Sequence, residues 1–224
     1  MELKYILFDM DGVIIDSRRS ITESTLYTLS RYGMTPTEEQ LKRIIGPPLH
    51  RIYTEIFGFD SETAGEAVHI YKKYYDDHAI PLVTLFPGVE DMLSELCAHG
   101  KKLMIATARF REVTEAVLTR LDVLRYFCFV GSVNAAPGST EPGARTSKSE
   151  VINYCLTENG IFRRENAVMI GDRAEDIEGG KSNGIMTFGA GYGFAPEGEL
   201  LSSSPDRIFY SPAEISRYII ENYE

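Results

Sequence analysis

Residues 3–13 constrain this chain more than any other stretch. Leu3, Tyr5, Ile6, Leu7 and Phe8 make a short, almost unbroken apolar run, the pattern of a strand covered on both faces in a parallel sheet. Asp9-Met10-Asp11-Gly12 follows at once. In open α/β sheets ligands bind beyond the carboxyl ends of the strands, so both carboxylates stand where chemistry is expected. Residues two apart in extended backbone point to the same side, which lets Asp9 and Asp11 address one reacting centre. Gly12 then allows a sharp turn and a close approach of backbone to ligand. By itself an Asp-x-Asp pair more often describes a solvated turn, and the rest of the chain decides between the two readings.

From Ser17 to about Leu82 the spacing is helical throughout, which predicts an all-helical insert of about 65 residues. Ile21, Thr25, Leu26 and Leu29 mark the apolar face of its first helix. Thr37-Glu38-Glu39-Gln40 has capping-box spacing, and the helix it opens is expected to run through Ile45 before Gly46-Pro47-Pro48. A third helix takes in Leu49 to Phe57, and Ser61 caps a fourth carrying Ala64, Ala67, Tyr71, Tyr74 and Tyr75. From Leu85 strands and helices alternate. Strands are predicted at Leu103–Ala106, ending at Thr107, and at Phe127–Val130, Ala167–Ile170, Gly184–Phe188 and Arg207–Tyr210, with helices after Gly88, around Val113–Leu121 and at Ser149–Leu156. Gly131 to Arg145 reads as an irregular loop. Strands separated by helices imply parallel pairing, hence an α/β core: residues 1–16 and 83–224, with 17–82 as the insert.

Composition narrows the partners. A formal charge of -10 over 224 residues opposes non-specific attraction to nucleic acid and to anionic membranes, and no Lys/Arg run reverses it locally. No apolar run approaches the roughly 18 residues of a membrane span. Cys97, Cys128 and Cys155 are odd in number and lack metal-like pairing. With no charged-then-apolar leader before the first strand, a reduced cytoplasmic setting is expected.

If the strands are parallel, their carboxyl ends share one rim. Asp9, Asp11, Thr107, Lys148, Asp172 and Asp176 then face one crevice, a set suited to phosphoryl transfer. An anionic nucleophile meeting a phosphate dianion needs a cation to offset repulsion, and magnesium prefers oxygen ligands. Asp9 and Asp172 are the candidate metal carboxylates, with the main-chain carbonyl of Asp11 as a further oxygen. Lys148 offsets charge from the other side. Thr107 offers a hydroxyl, and N–H groups near Asp11, Gly12 and Ala108 can bind phosphoryl oxygens. Asp11 is placed to protonate the leaving alcohol and then deprotonate water.

Phe8-Asp9-Met10-Asp11-Gly12-Val13, Ala106-Thr107-Ala108-Arg109, Lys148 and Gly171-Asp172-Arg173-Ala174-Glu175-Asp176-Ile177 resemble, in order, the four motifs of the haloacid dehalogenase (HAD) superfamily. Gly46-Pro47-Pro48-Leu49, Asn183-Gly184-Ile185 and Gly191-Tyr192-Gly193 resemble its phosphoglycolate-phosphatase-like and 5'-nucleotidase-like branch. The resemblance implies a Rossmann-like core with an inserted helical cap, and an aspartyl-phosphate on Asp9 with Asp11 as acid/base. It also implies Thr107 and Lys148 as stabilisers of phosphate and charge, and magnesium on Asp9, Asp11 and Asp172. Asp176 either binds the metal or holds Lys148. The expected substrate is a small phosphorylated metabolite, phosphoglycolate or a nucleoside 5'-monophosphate.

The alternative is a sugar phosphomutase of the same superfamily; those enzymes carry a histidine shortly after the first motif, where this chain has Ile21. A dehalogenase normally lacks the second aspartate, and a non-catalytic module would be free to lose a carboxylate; Asp11 and the complete acid set argue against both.

Overall fold

The computed structural model describes residues 2–135 and 138–223; positions 136 and 137 of the loop between Gly131 and Arg145 lie outside the described residues. The chain opens with β1 (Tyr5–Phe8) and β2 (Ile15–Asp16), continues through α1 (Arg18–Ser30), α2 (Glu38–Lys42), α3 (Leu49–Arg51) and α4 (Ser61–Tyr74), and reaches β3 (Thr84–Leu85). Then follow α5 (Val89–Ala98), β4 (Lys102–Phe110), α6 (Arg111–Arg120), β5 (Phe127–Val133), α7 (Lys148–Glu158) and β6 (Ala167–Gly171). The last elements are α8 (Ala174–Ser182), β7 (Met186–Ala190), α9 (Glu199–Ser203), β8 (Arg207–Phe209) and α10 (Pro212–Asn222). Two compact units result, one comprising residues up to Ile15 and from Leu85 onward, the other Asp16–Thr84.

In the first unit six strands form one parallel sheet in the order β5-β4-β1-β6-β7-β8. All six coincide with the apolar runs from which the sequence predicts strands. Phe8 lies level with Ile105 of β4 and Ile170 of β6, which places Asp9 between the carboxyl ends of the two neighbouring strands. The Asp9 N–H donates to the Ile170 carbonyl at 2.8 Å, so the residue after β1 is still held by the sheet. On one face α7 lays Val151, Ile152, Cys155 and Leu156 against Leu7, Met104 and Met169. Ile6 and Phe8 alternate with Leu7 and are equally buried, as a strand covered on both faces requires. Each such side chain contributes roughly 1.5–3 kcal/mol through burial. β4 runs to Phe110 rather than ending at Thr107, with its register against β5 broken between Thr107 and Phe110. Helices α8, α9 and α10 add to what the spacing predicts; Gly179 and Gly180 interrupt the periodicity of α8.

The second unit is built on α1 packed against α4. The buried face of α1 differs from the one its apolar spacing predicts: Ser20, Ser24, Thr25, Thr28 and Leu29 are inside, and Leu26 is 40% exposed. Small hydroxyl side chains are tolerated there because Ser20, Ser24 and Thr28 each donate at 2.8 Å to a carbonyl three or four residues back. The Thr37–Gln40 capping box forms, but α2 stops at Lys42 instead of Ile45. None of its residues is buried, so little beyond the cap supports it. The cap of α4 is Asp60 rather than Ser61, its carboxylate accepting from the Thr63 N–H at 2.8 Å. After Arg51 and after Tyr74 the helices widen into single π-helical turns, Ile52–Ile56 and Tyr75–Ala79. Tyr71 and Tyr75 are buried within this unit, while Tyr74 stacks on Tyr27 with ring centroids 4.2 Å apart. Among the described residues no helix is long and apolar enough to cross a membrane.

The contact between α7 and β5 leaves no room for a side chain at Gly131, where a Cβ would lie 2.2 Å from Cys155 Sγ and 3.3 Å from the Ile105 carbonyl. Gly131→Ala is expected to cost about 1–3 kcal/mol in urea denaturation. Cys155→Ala in the same chain is expected to recover part of that loss, because both changes act on one space. Strictly additive losses would mean that α7 does not press on β5 at this point.

Candidate active site

The turn after β1 is closed by its own backbone: Ile14 and Ile15 N–H donate to the Met10 carbonyl at 3.0 and 2.9 Å, and Gly12 N–H donates to Ile15 at 3.0 Å. Gly12 has φ +80, and a Cβ there would meet Asp172 Oδ2 at 2.1 Å. Glycine is therefore required twice over, by conformation and by space. β6 delivers Asp172 to the same place from the neighbouring strand. The segment after β7 closes over Asp172: the Phe194 N–H donates to its Oδ2 at 2.6 Å, and the Tyr192 hydroxyl donates to the Val13 carbonyl at 3.0 Å.

Lys148 enters from the first turn of α7. Ser147 caps that helix in a capping box with Glu150, whose carboxylate also accepts from the Thr146 N–H at 2.7 Å and is thereby held below its ordinary range. The ammonium donates to Asp9 Oδ1 at 2.6 Å and to the Ala106 carbonyl at 2.9 Å, and stands 2.8 Å from Asp176 Oδ1. Asp176 also accepts from the Arg173 N–H at 3.1 Å, which closes the first turn of α8. Burial works against the Lys148 charge, yet Asp176 and Asp9 outweigh it and hold the ammonium above its usual range. Burial lifts the Asp9 carboxyl to about 7 against the pull of Lys148. It raises Asp172 as well, with the negative Asp9 and Asp176 adding to the effect.

Four of the six predicted side chains thus meet: Asp9, Lys148, Asp172 and Asp176. Thr107 is buried, and its Oγ1 accepts from the Arg109 N–H at 3.2 Å; Ala108 is exposed at the end of β4. The Asp11 carboxylate lies in a two-point ion pair with Arg109, Nε to Oδ2 at 2.5 Å and Nη2 to Oδ1 at 2.8 Å. Sequence reasoning missed this pair, because nothing in the spacing of residues 98 apart announces it. It also missed the Phe194 N–H and the Ala106 carbonyl, which are main-chain groups without a residue signature. The Gly191-Tyr192-Gly193 run was the available signal: a Cβ on Gly193 would lie 2.3 Å from Asp172 Cβ.

One carboxylate oxygen from each of Asp9, Asp172 and Asp176 lies within 4.8 Å of the others, and all three residues are buried. Asp172 Oδ1 is buried without a hydrogen-bond partner. Three carboxylates against the single Lys148 ammonium leave a formal charge of -2, that is -3 + 1. Oxygen-only donors, an orphaned acceptor and unbalanced negative charge are what a hard divalent cation fits.

Fold and site together define a parallel α/β enzyme whose strand ends gather carboxylates around a lysine. The sequence profile of the haloacid dehalogenase-like hydrolases matches residues 6–190. A 5'-nucleotidase of Pseudomonas aeruginosa is 34% identical over 219 residues, 97% of this chain and 96% of that protein. The tyrosine-protein kinase PtkA of Mycobacterium tuberculosis is 30% identical over 84% of this chain and 62% of its own length. A haloacid dehalogenase-like hydrolase of Streptococcus pneumoniae superposes with a TM-score of 0.85 at 28% identity, over 96% of this chain and 98% of that one. The chain belongs to the haloacid dehalogenase-like hydrolases, and within them it is a phosphatase.

The raised Asp9 carboxyl has a signed consequence for the metal-free protein. Unfolded, Asp9 ionises near 3.8; folded, it keeps its proton to about 7, so the native state binds more protons in that window and this contribution to stability falls as pH rises. Thermal melts in EDTA should therefore find the wild type losing stability relative to Asp9→Asn between about pH 4 and 7. Parallel melting curves would remove the burial-driven shift.

Proposed function

We propose that this chain is a magnesium-dependent phosphatase that hydrolyses a small phosphate monoester, of phosphoglycolate or nucleoside 5'-monophosphate type, through an aspartyl-phosphate on Asp9. The observation that carries the reading is the buried cluster of Asp9, Asp172 and Asp176 around Lys148. The similarity to a 5'-nucleotidase along nearly the full length supports it. Asp9, Asp172 and Asp176, with the main-chain carbonyl of Asp11, are the groups that would hold magnesium. Bound there, the ion would supply the positive charge that lets a carboxylate approach a phosphate dianion.

In the first step an Asp9 carboxylate oxygen bonds to phosphorus while the ester P–O bond breaks, and Asp11 gives a proton to the departing alcohol. In the second step Asp11 takes a proton from water, the water oxygen bonds to phosphorus, and Asp9 is released with inorganic phosphate. Lys148 keeps Asp9 oriented and offsets charge on the transferring group. The Thr107 hydroxyl and the N–H groups of Asp11 and Ala108 bind its remaining oxygens; the Gly12 N–H is already given to the Ile15 carbonyl. For a phosphoglycolate carboxylate the insert offers Lys42, Arg43 and Arg51 as candidate cations; of these Arg51 is paired with Glu55 at 2.7 Å. A cytoplasmic setting accords with three free cysteines.

Purified protein is expected to hydrolyse p-nitrophenyl phosphate with magnesium and to lose that activity in EDTA. Asp9→Asn should abolish turnover with the fold intact by circular dichroism, and Asp11→Asn should lower kcat by about 10²–10⁴. Activity of Asp9→Asn above background would reassign the nucleophile. A screen of phosphorylated metabolites, scored for free phosphate against isomerised sugar phosphate, separates hydrolysis from mutase chemistry and names the substrate.

A further inference from the structure

The Asp11–Arg109 pair is a feature of the site that the proposed mechanism does not absorb. Asp11 is assigned to proton transfer at the leaving oxygen, yet both of its carboxylate oxygens are taken up by the Arg109 fork, at 2.5 and 2.8 Å. A carboxylate gripped in this way cannot also lie along the bond to a leaving group. The pair is also the open part of the site: its side chains are 19% and 27% exposed, against 6% for Lys148 and 1% for Asp176. Arg109 is tied to the phosphate side by its own backbone, because its N–H donates to Thr107 Oγ1 and β4 breaks register there. Its guanidinium is thus presented at the edge of the place where Thr107 would meet the transferring group.

A guanidinium fork binds any carboxylate or phosphate by the same two parallel N–H bonds. A substrate whose leaving fragment carries its own anion, close to the bridging oxygen, offers Arg109 a replacement partner. A neutral leaving fragment offers none, and the pair must be broken without compensation. Resting on the phosphatase reading above, we infer that Arg109 is a specificity-determining residue that exchanges Asp11 for an anionic group on the leaving fragment, so that Asp11 is released for catalysis by substrates of that class. No bond forms or breaks in the exchange; one ion pair replaces another, and Asp11 then acts at the leaving oxygen as described.

The test compares two esters of similar length, carboxymethyl phosphate and propyl phosphate, with p-nitrophenyl phosphate as a control for the phosphatase activity itself. Wild-type protein with magnesium is expected to favour the carboxymethyl ester by at least about tenfold in kcat/KM, the scale of a single ion pair of about 1.4 kcal/mol. Arg109→Gln should erase that preference mainly by raising kcat/KM for the propyl ester toward that of the carboxymethyl ester, because no ion pair then has to be broken to release Asp11, and Arg109→Lys should retain part of it. A wild type that hydrolyses p-nitrophenyl phosphate but does not distinguish the two esters overturns the inference and leaves the phosphatase reading standing. An Arg109→Gln protein that loses both esters by one factor likewise overturns it. Inertness of wild type toward all three compounds would instead overturn the phosphatase reading, and the inference with it. The wild-type preference is readable even if Arg109→Gln fails to fold.

Discussion

An ammonium group shut in among carboxylates from the ends of two adjacent strands and the first turn of a helix is the constraint around which this molecule is arranged. Removing charged groups from water costs several kcal/mol per ion, and mutual attraction compensates only where geometry and hydrogen bonding are complete. Lys148 meets that demand through hydrogen bonds to Asp9 and the Ala106 carbonyl and an ion pair with Asp176 at 2.8 Å. Asp172 does not, since one of its oxygens is buried without a partner. The negative excess therefore falls on the side where Asp9 and Asp172 approach each other, and the same electrostatics that hold the lysine leave a place for a cation.

The sheet brings these groups together, and Phe86 packing on Tyr192 and Phe194 backs the segment that restrains Asp172. Parallel register places Asp9, Ala106 and Gly171 at one level, because Phe8 pairs across to both Ile105 and Ile170. Main-chain groups then do much of the holding. The Phe194 N–H restrains Asp172, the Ala106 carbonyl restrains Lys148, and the turn over residues 10–15 is bonded to itself. Close approach of backbone to carboxylate is possible only because Gly12 and Gly193 present no side chain toward Asp172. Rigidity of this kind suits a site that must present fixed dipoles to developing charge.

Much of the core was legible from its residues. Short apolar runs coincide with all six strands, and Asp9 and Asp172, which follow two of them, meet Lys148 and Asp176 from the helices, while Asp11 is held by Arg109. The helical insert was less so. On α1 the amphipathic reading favoured Ile21 and Leu26, but hydroxyls bonded to their own helix let Ser20, Ser24 and Thr28 go inside and left Leu26 exposed. On α2 the apolar residues Ile44 and Ile45 suggested three more helical positions, although Ile44 is buried from an irregular segment. Apolar spacing reports which side chains avoid water; it does not report whether a helix continues to deliver them. The extension of β4 past Thr107 has the same character, since strand ends are set by the partner strand.

By itself the sequence determined the class of fold, the family, and which acids and which lysine are candidates for chemistry, because burial periodicity and residue identity are local properties. Only the tertiary structure decided how those groups are paired: Lys148 with Asp9 and Asp176, Asp11 with Arg109, and Asp172 with a main-chain N–H. Ion pairs and backbone donors depend on distances between segments far apart along the chain. Those distances come from sheet order and register, which no single segment encodes.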